Sequence, residues 1–418
     1  MAGQLITNIR QLINVREKNE LLRGNQLSIL PCLDNAWLMI QEGRIASYGE
    51  MKELDTGKLN PAQLIDAKGQ FILPAWCDSH THLVFAGSRE EEFTDKIKGM
   101  SYAEIASRGG GILNSAWKLN AASEEELFEQ AWGRLEEISR LGTGAVEIKS
   151  GYGLSVEGEL KMLRVIKKLK QRSDLTIKAS FLGAHTFPDE YKNDHQGYIN
   201  LIINDMLPEI AEEKLADYID VFCETGFFSA AETEMICKAG QKYGLRPKIH
   251  ANQLNVSGGV QAGIKSGAIS VDHLETMDDD AIQTLALSNT IGTLLPTAAF
   301  FLRMNYAPAR KLIDAGAAIA IASDYNPGSS PSGNMNLVVA MSCIQMRMLP
   351  EEAINAATLN GAYAMEAQNE LGSITVGKKA NLIFTRPIPS LAYIPYSFGT
   401  NLINRVMING LFLPPLGG

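Results

Sequence analysis

Cysteine is scarce in this chain: five residues (Cys32, Cys77, Cys223, Cys237 and Cys343) in 418, odd in number and nowhere spaced Cys-X-X-Cys. Such spacing excludes a disulfide framework or a cysteine-rich zinc module, and free thiols in a reducing compartment are expected. Long apolar runs are missing too; none approaches the roughly 18–20 residues that a membrane-spanning helix needs. The opening MAGQLITNIRQLINV carries neither the basic end, the apolar core nor the small-residue cleavage site of a secretory signal. A cytoplasmic protein without a membrane partner is the expectation. Nor is there an excess of positive charge, since 38 Lys+Arg against 47 Asp+Glu leave a net charge of -9. That balance argues against nucleic acid or an anionic membrane as the main partner. It leaves a small substrate open, because a pocket can be locally positive. Low-complexity tracts and repeats of solenoid period do not occur.

Histidine is rare as well, six in the chain, and its placement is informative. The stretch Phe71–Leu83, FILPAWCDSHTHL, is an apolar run ending in His80-Thr81-His82. Such a run reads as a strand buried on both faces. His80 and His82 project to the same side of an extended backbone, where two imidazoles can hold one divalent ion. On this stretch alone, two surface histidines beside a turn are the alternative. Cys77 has an odd offset from the pair and reads as packing.

Beyond this point short apolar runs alternate with amphipathic stretches. Eight runs are expected as strands: Phe71–Cys77, Ala145–Lys149, Ile177–Gly183, Tyr218–Cys223, Pro247–His250, Ala268–Asp272, Asn289–Leu295 and Ala317–Ser323. Ser123–Leu141, with an acidic first turn, reads as a helix. So does Val156–Gln171, whose last turns carry Lys167, Lys168 and Lys170 as the helix dipole favours. Eight strand-then-helix units predict a (β/α)8 barrel over 71–371. The first 70 residues and 372–418 have the short runs and turn residues of a small β-sandwich domain built from both termini.

Polar chemistry gathers at the carboxyl ends of the runs, where this barrel carries its active site. His80, His82, Tyr152, His185, His250, His273 and Asp324 all lie at such ends. His195, in the acidic stretch PDEYKNDHQGY, reads as surface. His80, His82, His250 and Asp324 together offer three imidazoles and a carboxylate, a set suited to Zn(II) or Fe(II) with one position left for water. Such an ion lowers the pKa of its water toward about 7. Singly, His250 is more often a strand-end histidine and Asp324 a cap for the turn at Tyr325-Asn326-Pro327-Gly328. From the sequence alone Arg89 reads as a solvated arginine paired with Glu90, Glu91 or Glu92.

The strand followed by His-Thr-His, the isolated His250, Asp272-His273 and Ser323-Asp324 resemble the amidohydrolase superfamily. Within it, EIKSGYGL, GAHTFP, VDHLE and SDYNPGSSPSGNM are similar to the imidazolonepropionase family, over almost the whole chain. The resemblance implies hydrolysis of 4-imidazolone-5-propanoate to N-formimidoyl-L-glutamate in histidine degradation, one zinc or iron ion per subunit, and a homodimer. It implies that Asp324 is ligand and base, and that His273 serves the oxyanion or relays a proton; orienting Asp324, or packing, is the plainer role for His273. It places Arg89 on the substrate carboxylate, Tyr152, His185, Gln253 and Ser329 on the imidazolone, and Asn326 and Gly328 on the product.

Two residues depart from the pattern. Gln253 stands where some relatives carry Glu and cannot shuttle a proton; Asn252 stands where Asp is expected. Lys149 is expected to have electrostatic or structural duty rather than bridge two metals as a carbamate. Gly109-Gly110-Gly111 reads as a lid or a plain turn. The alternatives are a deaminase of an aminated heterocycle on the same barrel, disfavoured by Gln253, and a scaffold that has lost catalysis.

Overall fold

The computed structural model describes residues 3–59, 61–100 and 110–414. Alternating apolar residues and tight turns near the amino terminus form five strands, β1 (Gln4–Ile13), β2 (Cys32–Gln41), β3 (Arg44–Glu50), β4 (Gln63–Asp66) and β5 (Phe71–Pro74). The carboxyl end adds strands Leu382–Thr385, Ile403–Ile408 and Leu411–Phe412. All eight make one sheet, in which Leu382–Thr385 pairs with β5 and β5 with β1. The sheet curls back on itself: Ala380 N–H donates to Gly43 O at 2.8 Å and Gly377 N–H to Ile45 O at 2.8 Å. Ile6, Ile9, Leu38, Ile40, Ile72, Leu382, Phe384 and Met407 fill its interior. Pairing Ile72 with Phe384 ties the two terminal segments into this one sheet.

The second sheet holds eight strands, all parallel and in chain order, seven of them at the expected runs: β6 (Trp76–Thr81), β7 (Thr143–Lys149), β8 (Thr176–Ala184), β9 (Tyr218–Cys223), β10 (Arg246–Ala251), β11 (Ser270–His273), β12 (Ile291–Leu294) and β13 (Ala318–Ile321). The run Phe71–Cys77 is not one strand. It breaks at Ala75, whose N–H donates to Asn381 O at 2.9 Å; Phe71–Pro74 belongs to the terminal sheet and Trp76 opens the barrel. A uniformly apolar run carries no mark at such a switch, because both halves are buried.

Alternation along these strands separates two environments. Ile148, Ile219, Val221, Ile249, Val271, Ile319 and Ile321 join the large apolar cluster shared with the surrounding helices. The intervening residues face the cylinder interior. Its amino-terminal end is plugged by the helix Leu359–Ala364: Ala362 packs with Cys77 and Ala145, and Ala364 with Ala318 and Ala320. The helix Glu124–Arg140 is started by a reciprocal cap in which Ser123 Oγ accepts from Glu126 N–H and Glu126 accepts from Ser123 N–H at 2.8 Å.

β13 meets β6 at the seam that closes the cylinder. Asp324 N–H donates to His80 O at 2.9 Å, His82 N–H to Tyr325 O at 2.9 Å, and Ser323 N–H to Asp78 Oδ1 at 2.9 Å. The seam therefore brings the His-Thr-His stretch against Asp324. Among the described residues no helix is long and apolar enough to cross a membrane.

Candidate metal centre and active site

Period-two alternation sends Asp78, His80 and His82 from the first barrel strand and its end, Lys248 and His250 from β10, and Asp220, Asp272, Glu147 and Lys149 into one buried space in the barrel. His80 Nε2 lies 3.5 Å and His82 Nε2 3.7 Å from Asp324 Oδ1, and His250 Nε2 is 3.4 Å from His82 Nε2. A tetrahedron whose corners sit about 2.1 Å from its centre has edges of about 3.4 Å, the span expected of nitrogen and oxygen ligands around one small divalent ion. The three histidines therefore fit such an ion, and Asp324 stands beside two of them.

The tautomers agree. His80 Nδ1 faces Asp272 Oδ2 at 2.7 Å, and His250 Nδ1 faces Asp220 Oδ1 at 3.0 Å. A nitrogen facing a carboxylate carries the proton, so each ring turns a bare Nε2 to the centre. His80 Nε2 is buried and has no hydrogen-bond partner. Burial, reinforced for His80 and His250 by the Lys149 ammonium, holds all three imidazoles well below the ordinary histidine range, hence neutral. Burial pushes Asp324 up to about 6 against the opposing pull of His273 and the hydrogen bonds from Asn326 and Ser329.

Backbone strain marks the same rim. Asn252, His273, Leu274 and Asp324 adopt φ of 53°, 85°, 68° and 52°, a left-handed region that costs non-glycine residues energy and recurs at functional sites. His273 Nδ1 lies 3.3 Å from Glu275 Oε1. Burial disfavours its charged form, but Glu275, Asp324 and Asp272 together outweigh burial and hold the imidazole above its usual value.

A cavity of about 590 Å³ opens above this floor, lined by His82, Arg89, Tyr152, His185, His250, Gln253, His273, Asp324, Asn326, Gly328 and Ser329 among others. Each expected site residue lines it except His80, which lies beneath. His185 Nδ1 meets Gly151 O at 2.9 Å and must carry the proton, leaving Nε2 as an acceptor; burial lowers its pKa to about 4. Arg89 combines both of its readings. Its Nε and Nη2 donate to Glu92 Oε2 at 2.9 and 2.5 Å, which leaves the Nη1 side for the pocket. Glu92 in turn accepts from Gly111 N–H at 3.1 Å; Gly109 of the glycine run lies outside the described residues.

Asn326 is engaged inside its own loop. Its amide donates to Asp324 O and Ser329 Oγ, both at 2.7 Å, and its carbonyl accepts from the N–H groups of Gly328 and Ser329, both at 2.8 Å. It shapes the rim, and Ser329 Oγ donates to Asp324 Oδ2 at 3.2 Å. Asn252 accepts from Ser257 Oγ at 3.2 Å and contacts Met277 Sδ at 3.8 Å, away from the centre. His195 is exposed, stacked on Phe187 at 3.7 Å. Lys149 is held by Glu147 at 2.6 Å and Asp220 at 2.7 Å. Burial alone would lower its pKa, but these acids and Asp272 raise it; a carbamate needs the neutral amine.

The amidohydrolase family profile matches residues 71–412. The imidazolonepropionase of Flavobacterium johnsoniae is 58% identical over 97% of this chain and 98% of its own length. That of Christiangramia forsetii is 55% identical over 97% and 98%. The chain belongs to the imidazolonepropionase family. A more distant imidazolonepropionase, from Geobacillus kaustophilus, is 41% identical over 98% of this chain and 97% of its own. Among solved structures, a triazine hydrolase variant superimposes with a TM-score of 0.75 over 98% of this chain and 94% of its own at 16% identity. Escherichia coli guanine deaminase does so at 0.70 over 98% and 99% at 13% identity. At such identities they share only the fold with this imidazolonepropionase relative.

Several residues of this site escaped the reading of the sequence: Asp220, Glu147, Lys248, and Glu275 behind His273. The signal was there, because each of the first three is a charged residue inside an apolar strand, in step with the inward positions.

Proposed function

We propose that this chain hydrolyses 4-imidazolone-5-propanoate to N-formimidoyl-L-glutamate, in the cytoplasm and as a homodimer, with one zinc or iron ion held by His80, His82, His250 and Asp324. What carries this reading is a single cavity with a divalent-ion floor and a cationic wall, Arg89, set for a substrate that has a cyclic amide at one end and a carboxylate at the other. The ion, when bound, supplies Lewis acidity and acidifies a water.

The protein's own groups do the rest. Arg89, braced by Glu92, presents its Nη1 side to the propionate. Neutral His185 offers Nε2, and Tyr152 its hydroxyl, to the imidazolone ring. Asp324 accepts the proton of the attacking water. The hydroxyl goes to the carbonyl carbon, the ring C–N bond breaks, and the departing nitrogen takes up a proton. His273, with Glu275 behind Nδ1, turns Nε2 to the developing oxyanion or returns that proton. Gln253 lines the same cavity and can only hydrogen-bond, which supports ring opening over deamination.

Purified protein should consume 4-imidazolone-5-propanoate, stop after exhaustive chelation, and recover with zinc or iron. Full activity without metal, or release of ammonia from guanine or cytosine with no action on the imidazolone, would overturn the reading. Light scattering should give twice the 45.6 kDa chain mass.

A further inference from the structure

Below the proposed ligands lies a group of fully buried charges that the chemistry above does not use. Lys149, Lys248, Glu147, Asp220 and Asp272 are at most 1% exposed. Two ammonium groups thus face three carboxylates, shielded from bulk solvent. Burying such charges is costly unless every one is paired.

Their pairing is unequal. Lys248 reaches Glu147 and the carbonyls of Ser79 and Ala364, all away from the histidines. Lys149 Nζ lies 2.6 Å from Glu147 Oε1, 2.7 Å from Asp220 Oδ2 and 3.5 Å from Asp272 Oδ2. The ammonium donates hydrogen bonds to Glu147 and Asp220 and stands at ion-pair distance from Asp272. Two of those carboxylates are the ones that fix ring nitrogens, Asp220 on His250 and Asp272 on His80.

We propose that Lys149 is a positioning residue for the metal centre: one ammonium ties Asp220 to Asp272 and so aims His80 and His250 as a unit. This rests on the metal reading above. Without the ammonium, two buried carboxylates would face each other with only the weaker influence of Lys248 to offset them. One would rotate away or take up a proton, and its histidine would lose the partner that fixes its tautomer. The lysine also repels a cation, but Glu147 and Asp220 lie against it and cancel most of that field. Loss of alignment therefore outweighs loss of repulsion.

The test is zinc release from the full-length holoprotein to a chromogenic chelator, with no substrate present. Lys149→Met should release zinc faster, by about 10- to 100-fold, the range seen when groups behind metal ligands are removed. A mutant cycle protects against a folding defect in that variant. Asp220→Asn and Asp272→Asn, singly and together, are measured with Lys149 intact. Coupled aspartates should give a double variant that departs from the product of the singles by at least about threefold, as groups in one network do. In the Lys149→Met background the coupling should reverse sign, because removing either of the two like charges then relieves the other. Unchanged or slower release from Lys149→Met, or independent aspartates with Lys149 present, would overturn the proposal. His80→Ala separates the two levels. If that variant keeps stoichiometric zinc, the metal reading itself fails; if it loses zinc while Lys149→Met behaves as wild type, only the role of Lys149 fails.

Discussion

Gly328 has no side chain at the point where the Arg89 guanidinium lies: a β-carbon there would stand 2.8 Å from Cζ of Arg89 and closer still to Nη1. The glycine is needed for the arginine beside it. Glu92 grips the opposite edge of the same guanidinium, so two loops and one helix start set the position of a single cation.

Gly328→Ala should therefore act through Arg89. Displacing a substrate-positioning group by about 1 Å costs on the order of a hundredfold in catalytic efficiency. We expect KM to rise by about 10- to 100-fold, with zinc content and the urea midpoint unchanged. Arg89→Ala should raise KM at least as far, and combining the two should add little. An unchanged KM in Gly328→Ala would remove Arg89 from carboxylate binding in the orientation described.

Glu92 gives this arrangement a pH dependence. Burial works against its charge, but the bonds from Arg89, Asn114 and Gly111 win and hold it below the ordinary glutamate value of 4.5. A carboxyl that is more acidic folded than unfolded contributes stability that is complete above its unfolded value. That contribution is lost as pH falls through the folded value. Glu92→Gln should thus be less stable than wild type at pH 7, and the gap in urea midpoint should narrow as the pH is taken well below 4.5. A gap independent of pH would show that charge at Glu92 is immaterial.

Seven of the eight barrel strands were legible from apolar runs because a strand covered by helices on one side and packed inside on the other leaves little room for polar residues; the run Phe71–Cys77 instead straddled two sheets. The metal set was legible for the opposite reason: histidines in a chain with only six, five of them at strand ends, are conspicuous. What stayed hidden depends on partners distant in sequence. Nothing in YIDVFC says that Asp220 will meet both His250 and Lys149. The switch at Ala75 is set by Asn381, some three hundred residues away. Arg89 chose Glu92 over Glu90 and Glu91 because only Glu92, three residues on at the start of the helix Glu90–Ile97, lies on its face.

Asp324 and His273 can be separated by kinetics. With zinc in excess, Asp324→Asn should lower kcat by about 10²- to 10⁴-fold, the usual worth of a positioned acid–base group, while the three histidines keep zinc bound. His273→Gln should lower kcat with zinc affinity intact. Were His273→Gln to lose zinc as readily as His80→Ala, its duty would be structural support of the ligands.

Asp78 offers a test of the barrel seam. Its carboxylate accepts from Ser323 N–H at 2.9 Å and from Ser323 Oγ at 2.6 Å, directly before Asp324. Asp78→Ala would strand a buried N–H and should cost about 1–3 kcal/mol. Asp78→Asn keeps an acceptor and discards the charge. Burial is the dominant influence on Asp78, stronger than the bonds from Ser323, and raises it from 3.8 to about 7. A carboxyl that is less acidic folded than unfolded holds extra protons in the native state, so wild-type stability falls as pH rises from 3.8 towards 7. The asparagine variant has no such loss. Its urea midpoint should gain on wild type as pH rises across that window and level off above it. A difference that ran the other way would mean that the ionised carboxylate is preferred at the seam, and that its hydrogen bonds to Ser323 outweigh burial.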